Sequence, residues 1–266
     1  MPLAVCATPI GNLDDVTLRV LAELRESDVV LCEDTRHTRV LLERHGISAR
    51  LLSYHEHNEA KRTAELLPRL EEGERVALVS DAGMPGISDP GARLIAAALE
   101  AGVPVTVLPG ASSVETALVV SGLAAERYQF IGFLPRGARA LAQLWEELAA
   151  WSYPVVAFES PRRLPASLRS LAAAQPEREI AVCRELTKKF EEVVRGAAAE
   201  VAGRFAEPPK GEITLVLGPG LEVGESTASV EAVAELVAAG VARRQAADLV
   251  SRLTGASRNE LYRRTL

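Results

Sequence analysis

A loop dense in glycine and proline stands at residues 80–91, with the sequence Ser-Asp-Ala-Gly-Met-Pro-Gly-Ile-Ser-Asp-Pro-Gly. It follows the apolar run 76–79 and precedes apolar residues at helical spacing, which predicts a strand before it and a helix after it. Open α/β sheets bind ligands at this end of their strands. Glycine lets a ligand approach the backbone, and proline fixes the loop before binding. The pattern therefore predicts a loop that binds a ligand through its N–H and C=O groups.

Two further loops have the same character. Residues 8–13 have the sequence Thr-Pro-Ile-Gly-Asn-Leu and residues 108–113 the sequence Leu-Pro-Gly-Ala-Ser-Ser, each at the end of an apolar run. Neither has the Gly-x-Gly-x-x-Gly spacing of a dinucleotide site, and the chain has no Walker A pattern. We expect the three loops to converge on one cleft at the carboxyl ends of their strands.

Titratable side chains gather after the apolar run Val29–Cys32. The segment Glu33-Asp34-Thr35-Arg36-His37-Thr38 places two carboxylates, a guanidinium and an imidazole at a strand end, and perturbed titratable groups cluster at functional sites. A helix capped by Asp34 or Thr35 would explain part of this density. The later segment 54–59 holds two histidines around a glutamate, but His-x-His without a third ligand does not indicate a metal. We therefore expect a functional site without a metal.

Nine short apolar runs alternate with amphipathic stretches along the chain. The predicted strands are residues 3–8, 29–32, 51–54, 76–79, 105–108, 129–133, 154–159, 179–184 and 213–217, and residues 17–26 are one of the helices between them. This alternation predicts mostly parallel sheets with helices on both faces. A break near residues 121–126 favours two α/β domains, which we place at 1–121 and 122–220. The expected fold class is α/β, with a small helical tail at 221–266.

The tail differs from the rest of the chain in structure and in charge. We predict helices at 230–239 and 243–253, and a third that begins after a Ser257 cap. From Arg243 onward there are six arginines against two acidic residues, in a chain whose net charge is −6. One interpretation is a solubilising face on a helical appendage. The other is a small module that contacts RNA or DNA, with phosphate attraction confined to one surface.

Composition limits the class of protein further. The 266 residues are 48% hydrophobic and 25% charged, which is enough apolar material for a sizeable core. No apolar run approaches the roughly 20 residues of a membrane helix, and the amino terminus lacks the pattern of a signal peptide. Three widely spaced cysteines inside apolar runs indicate buried, reduced thiols. These features predict a cytoplasmic protein with no membrane partner.

Taken together, the loops at 80–91 and 109–112 resemble those of the tetrapyrrole methylase superfamily. Further motifs at 33–38, 132–136, 159–163, 184–188 and 210–212 are similar to one branch of it, which methylates the ribose 2′-oxygen of a cytidine in small-subunit (16S) ribosomal RNA. The resemblance covers about residues 3–217, and the tail is only loosely similar. Arg163 stands one residue after a position where that branch is expected to have histidine.

The resemblance implies two α/β domains with a cleft between them and S-adenosyl-L-methionine as cofactor. This cofactor has no phosphate, so the absence of a phosphate-binding motif agrees with it. It also implies a homodimer, and 16S ribosomal RNA in the small subunit as partner. The implied cofactor contacts are Pro9, Asp81, Ala82, Gly83, Ser88, Gly110, Ala111, Ser112, Phe158 and Thr214.

A ribose hydroxyl is a poor nucleophile near neutral pH and benefits from a base within hydrogen-bond reach. Under the resemblance the candidates are Glu33, Asp34, His37 and Glu185, and the sequence does not choose among them. The cationic side chains of Arg36, Lys188 and Lys189 would bind flanking phosphates. The predicted catalytic group is Glu33, Asp34, Arg36, His37, Glu185 and Lys188, and the predicted RNA contacts are Arg136, Arg162, Lys189, Arg243, Arg244, Arg263 and Arg264.

Two other functions remain open at this point. A methyltransferase of a small tetrapyrrole would not need a basic tail or so many cations after strand ends. A catalytically silent RNA-binding relative would keep the fold, but its cofactor loops would be free to change. The intact loops at 81–91 and 109–112 argue against the second alternative.

Overall fold

A computed structural model describes residues 2–220, 227–254, 256 and 258–265. It contains two five-stranded sheets followed by a group of helices. The predicted α/β class, with two sheets and a helical tail, is confirmed.

The first sheet has the strand order β3-β2-β4-β1-β5, and all its pairs are parallel. Alternate strand residues enter two separate clusters, one with α3 and α4 and the other with α1 and α2. Both faces are therefore covered, which explains why the central strands are continuous apolar runs. The strands are β1 (Leu3–Cys6), β2 (Val29–Cys32), β3 (Leu51–Ser53), β4 (Val76–Leu78) and β5 (Val105–Leu108), and the helices are α1 (Leu18–Glu26), α2 (Thr35–Arg44), α3 (Glu59–Glu71), α4 (Ala92–Glu100) and α5 (Ser113–Ser121).

The second sheet has the order β6-β7-β10-β8-β9, and only the pair β6–β7 is parallel. The expectation of mostly parallel sheets is wrong here, because the connection from β8 to β9 spans only residues 185–191, which is too short for the crossover that a parallel pair needs. Strand β9 was not predicted, since its segment is rich in charge. The strands are β6 (Gln129–Phe133), β7 (Val155–Glu159), β8 (Glu179–Arg184), β9 (Glu192–Ala197) and β10 (Ile213–Leu217), and the helices are α6 (Ala138–Ala149), α7 (Leu164–Ala174) and α8 (Ala198–Arg204).

Helix α5 links the two sheets. It follows β5 in the chain, yet its residues Val114, Ala117 and Leu118 pack with Val156 and Val216 of the second sheet. The other face of that sheet is covered by α6, α7 and α8 around the buried Trp145. The five strands of the first sheet precede residue 121 and those of the second follow it, while the packing of α5 ties the two sheets together.

The side chain of Arg178 joins the ends of several elements of the second sheet and its helices. Its guanidinium is fully buried and donates to Gly218 O at 2.8 and 3.0 Å and to Leu148 O at 2.9 Å. It also donates to Gln175 Oε1 at 2.6 Å. Burial lowers its pKa to about 10. These neutral acceptors come from the ends of α6, α7 and β10, so one side chain fixes three element ends.

The described part of the tail consists of α9 (Thr227–Ala238), α10 (Arg243–Thr254) and α11 (Arg258–Arg264). They pack around a small core that includes Val233, Val250 and Leu261. The predicted Ser257 cap, and residues 221–226 of the predicted tail, lie outside the described residues.

The cysteines are as expected: Cys6, Cys32 and Cys183 are buried and free. Burial raises the pKa of the Cys6 and Cys183 thiols to about 12. Among the helices that the structure describes, none is long and apolar enough to cross a membrane.

Candidate functional site

The three glycine- and proline-rich loops meet at the carboxyl ends of β1, β4 and β5. Thr8 and Gly83 exchange backbone hydrogen bonds of 2.9 and 3.1 Å, and the Thr8 hydroxyl donates to Ser80 O at 3.0 Å. The third loop packs so closely that a Cβ on Gly110 would lie 2.9 Å from the Cβ of Ala7. The predicted convergence of the loops is therefore present.

Glycine is required at different positions in these loops for different structural reasons. Gly83 has φ +78°, and an added Cβ there would meet nothing closer than 3.7 Å, so its backbone conformation is what requires glycine. Gly110 is required by its contact with Ala7. Ser88, a residue with a side chain, also has positive φ, at +62°. Such strain is typical of loops that bind ligands.

A contact between turns joins the first sheet to the second. The Asn12 N–H donates to Thr187 Oγ1 at 2.9 Å. A Cβ on Gly11 would lie 2.5 Å from Lys188 Cγ and 2.7 Å from Thr187 Oγ1. Only glycine permits the loop after β1 to approach the turn after β8 this closely.

A cavity of about 470 Å³ lies between the two sheets beside this contact. Four predicted cofactor residues line it, namely Ala82, Ser88, Phe158 and Thr214. The Phe158 ring packs edge-on against Phe130 and Phe133, at centroid distances of 5.0 and 5.5 Å. Cys183, Glu159 and Asp89 also line the cavity. Of the other predicted cofactor residues, Gly83, Gly110, Ala111 and Ser112 do not line it.

A second cavity of about 210 Å³ adjoins the first and shares Ile10, Ala82 and Glu212 with it. Pro9 and Asp81, which were predicted to contact the cofactor, line this smaller cavity. So do two residues of the predicted catalytic group, His37 and Lys188. The structure thus brings six of the ten predicted cofactor residues and two of the six predicted catalytic residues to adjoining cavities.

The carboxylate of Asp81 contacts two residues at the start of α2. Its Oδ1 accepts a hydrogen bond from the Asp34 N–H at 3.1 Å, and its Oδ2 lies 3.3 Å from His37 Nδ1. Asp34 caps the helix, accepting from the Arg36 N–H at 2.8 Å, as one of the two predicted caps. The Arg36 guanidinium forms an ion pair with the same carboxylate. These bonds fix Asp34 and orient the imidazole of His37.

The carboxylates around Asp81 differ in pKa. Side-chain and backbone hydrogen bonds from Arg36 hold the pKa of Asp34 well below its usual range. Partial burial and the neighbouring charge of Asp81 raise the pKa of Glu33. Burial, with the charges of Glu33 and Asp81, raises the pKa of Asp89 to about 6. Asp89 was not among the predicted site residues, although its position beside Pro90 in the binding loop was a usable signal.

Lys188 lies between two carboxylates. Its Nζ is 2.9 Å from Glu185 Oε1 and 2.8 Å from Glu212 Oε2, and the Glu212 N–H donates to Glu185 Oε1 at 3.0 Å. Burial alone would raise the pKa of Glu185, but these hydrogen bonds lower it. Lys188, which the sequence predicts to bind a flanking phosphate, has two anionic partners here, and through them it ties the turn after β8 to Glu212.

The predicted RNA-binding residues fall into two groups. Arg136 and Arg162 are exposed after the ends of β6 and β7, near the larger cavity, and Lys189 is exposed beside the smaller one. Arg163, next to Arg162, instead donates to Leu134 O at 2.9 Å and Pro135 O at 2.6 Å. The tail arginines Arg243, Arg244, Arg263 and Arg264 line neither cavity.

Metal ligands do not gather anywhere in the described part of the chain: no group of three or more His, Cys, Asp or Glu side chains is arranged to hold an ion. The His55 and His57 rings lie 6.0 Å apart, edge to face.

Residues 2–202 match the family of Tetrapyrrole (Corrin/Porphyrin) Methylases. The chain belongs to the tetrapyrrole methylase family. The resemblance drawn from its loops is confirmed. Residues 224–266 match a second family, described as the RsmI C-terminal HTH domain, so the tail of this tetrapyrrole methylase has a family of its own.

Relatives with similar sequences show to which members of the tetrapyrrole methylase family this chain is similar. The chain is 43% identical over 268 residues to a "Ribosomal RNA small subunit methyltransferase I" of Mesorhizobium japonicum, covering 99% of the chain and 91% of the relative. A relative of the same name from Thermotoga maritima is 45% identical over 216 residues, covering 81% of the chain and 97% of the relative. This tetrapyrrole methylase and these relatives are members of the same branch.

Solved structures agree on the fold. The methyltransferase CobJ matches with a TM-score of 0.62 at 20% identity, covering 82% of this chain and 93% of that one. A uroporphyrin-III C-methyl transferase from Thermus thermophilus, complexed with S-adenosyl homocysteine, matches with a TM-score of 0.58 at 20% identity, covering 83% and 99%. The two-sheet architecture is therefore that of the tetrapyrrole methylases.

The raised pKa of Asp89 should make the stability of the folded protein depend on pH. Its folded-state pKa of about 6 exceeds its unfolded value, so ionisation costs stability as pH rises from about 4 to about 6, and the cost persists above that range. We expect Asp89→Asn to raise the unfolding temperature relative to the parent at pH 8, with a smaller gain at pH 4.5. Thermal unfolding at the two pH values measures this, with the exposed Glu126→Gln as control. An equal gain at both pH values would contradict the assignment.

Proposed function

We propose that the protein transfers a methyl group from S-adenosyl-L-methionine to the ribose 2′-oxygen of a cytidine in 16S ribosomal RNA. The observation that carries the proposal is the pair of adjoining cavities between the sheets. They occur in a chain at least 38% identical, over 98% of its length, to several proteins named ribosomal RNA small subunit methyltransferases. The larger cavity suits the cofactor and the smaller one the reacting ribose.

The residues of the larger cavity fit the cofactor. Its volume of about 470 Å³ is in the range of small-molecule sites. The rings of Phe133 and Phe158 offer an apolar wall for an adenine, and Thr214 offers a hydroxyl. We propose that Ala82 and Ser88 contact the cofactor from the binding loop, and that Gly83, Gly110, Ala111 and Ser112 support that loop from behind. When bound, the cofactor supplies a methyl group on a positively charged sulfur.

His37 is the best-supported base among the four candidates. It lines the smaller cavity, and its Nδ1 lies 3.3 Å from Asp81 Oδ2. If Nδ1 donates to that carboxylate, Nε2 is left as the proton acceptor. In this proposal His37 removes the proton from the ribose hydroxyl, and Asp81 orients the ring and stabilises its positive charge.

The other candidates are less suited to accept a proton. Asp34 and Glu185 are each paired with a cation and have lowered pKa values, which makes them weaker bases. Glu33 has a raised pKa but lines neither cavity. We propose that Pro9 and Asp81 shape the ribose side of the site and that Arg36 keeps Asp34 in place.

Cations around the cavities suit an RNA substrate. We propose that Arg136, Arg162 and Lys189 contact phosphates next to the target nucleotide and that the tail adds a further RNA contact. We also propose that the protein acts on the small ribosomal subunit, forms a homodimer and is located in the cytoplasm.

Methylation of a tetrapyrrole is less favoured, because the structural relatives named for that activity share only about 20% identity with this chain.

The test of the reaction uses tritiated cofactor and small ribosomal subunits from cells that lack the protein. We expect label on the ribose of one cytidine after nuclease digestion and nucleoside analysis. Label on a base carbon or nitrogen would overturn the choice of oxygen, and label only on a precursor pigment would overturn the RNA substrate. Cofactor binding without any transfer would indicate a catalytically silent relative.

Replacing the proposed base separates chemistry from binding. We expect His37→Gln to lower kcat by about 10²- to 10⁴-fold, the usual contribution of a general base, with little change in cofactor affinity, because proton transfer matters only in the transition state. Glu33→Gln is the matched variant, and we expect a smaller loss from it. Single-turnover methylation and a cofactor-binding titration measure the two quantities. A larger loss in Glu33→Gln would transfer the role of base to Glu33.

The tail should contribute RNA affinity and not chemistry. We expect reversal of charge at Arg243, Arg244, Arg263 and Arg264 to weaken RNA binding and to flatten its salt dependence, since each lost phosphate contact lowers the slope by about one. Cofactor affinity should not change. The matched control reverses four exposed arginines of the main body, namely Arg19, Arg25, Arg50 and Arg169. Equal binding by the tail variant and the parent would make the tail structural.

A further inference from the structure

The turn between β8 and β9 has an unusual backbone. Two of its residues with side chains, Glu185 and Thr187, have positive φ values of +52° and +64°. Residues of this kind favour negative φ, so the conformation is strained and must be held by its surroundings. Strain of this type is retained where a site needs one fixed shape.

Hydrogen bonds hold this turn in one conformation. The Lys188 N–H donates to Glu185 O at 3.0 Å, and the Glu191 N–H donates to Lys188 O at 3.1 Å. The Thr187 N–H donates to Glu191 Oε2 at 2.6 Å, while Thr187 Oγ1 accepts from Asn12 of the first sheet. The backbone on both sides of Phe190 is therefore fixed.

Phe190 stands on this rigid turn with its ring directed to solvent. The residue is 65% exposed, and the Lys189 ammonium lies 5.6 Å from the ring centroid. The turn borders the site, because Leu186 lines the larger cavity and Lys188 the smaller one. Phe190 itself lines neither cavity, and it stands two residues after Lys188 on the same turn. An exposed aromatic face next to a cation suits a ligand that has a flat ring and a negatively charged group close to it.

A nucleobase joined to a phosphate has that chemistry. Proteins that bind single-stranded RNA stack unpaired bases on aromatic side chains and contact the backbone with cations. Because the turn is already fixed, little further ordering is needed when a base stacks there.

We infer that Phe190 is a stacking site for an unpaired base next to the target nucleotide, with Lys189 contacting the adjoining phosphate. The inference rests on the proposed RNA substrate and adds a recognition element to it. The exposed ring binds the base, the neighbouring ammonium binds the phosphate, and together they hold the RNA strand at the opening of the smaller cavity.

The test compares variants in methylation of small ribosomal subunits from cells that lack the protein. We expect Phe190→Ala to raise KM for the subunits by roughly 5- to 150-fold, the effect of losing one stacked base, with cofactor affinity unchanged. Phe190→Trp should retain the parent KM, because it keeps an aromatic face. Trp151→Ala is the matched control, since Trp151 is an exposed aromatic residue at the other end of the second sheet, before β7.

Salt dependence separates stacking from charge. Phe190→Ala should keep the parent's salt slope for RNA binding, whereas Lys189→Ala should lower that slope by about one. An unchanged KM in Phe190→Ala, while the parent methylates RNA, would overturn the inference and leave the proposed function standing. Light scattering that shows a changed oligomeric state in Phe190→Ala would also overturn it, since the ring would then contact a second copy. Failure of the parent to methylate RNA would overturn the proposed function itself.

Discussion

The contact between Gly11-Asn12 and the turn at Thr187-Lys188 is the constraint on which the site depends. It sets the spacing of the two sheets, because the absent Cβ of Gly11 leaves room for the side chains of the other turn. The residues on either side of it form cavity walls: Ile10 lines both cavities, while Leu186 and Lys188 each line one. The two sheets therefore form one composite site where these turns meet, beside the packing of α5 on the second sheet.

Charge is distributed unevenly around that contact. Inside the site, carboxylates outnumber cations: Asp81 and Glu212 line the smaller cavity, and Lys188 is neutralised there. Exposed cations, Arg136 and Lys189 among them, stand outside it. In a chain with a net charge of −6, these cations favour a polyanion at the opening of the site. The acidic interior suits a cationic cofactor.

The sequence predicted local features better than long-range ones. Loop chemistry at a strand end identified the segment that contains Ala82 and Ser88 as a binding loop, and the family resemblance implied cofactor contacts there and at Phe158 and Thr214. All four residues line the larger cavity. Strand β9 was missed because it has only two consecutive valines between the charged residues Glu192 and Arg195. Antiparallel pairing in the second sheet, and the role of Lys188 between Glu185 and Glu212, depend on segments far apart in the chain. The raised pKa of Asp89 likewise arises from Glu33 and Asp81, which a local pattern does not reveal.

The buried guanidinium of Arg178 has a consequence for how the molecule is assembled from parts. It holds the carbonyl of Gly218, and the Gly220 N–H then donates to Trp151 O at 2.7 Å. The second sheet is thus complete before the chain leaves it at residue 220. Among the residues that the structure describes, none of the tail helices contributes to the core of the second sheet. The described tail helices α9, α10 and α11 pack around a core of their own, so a tail of different sequence can follow the second sheet without loss of the hydrogen bonds that hold Gly218 and Gly220.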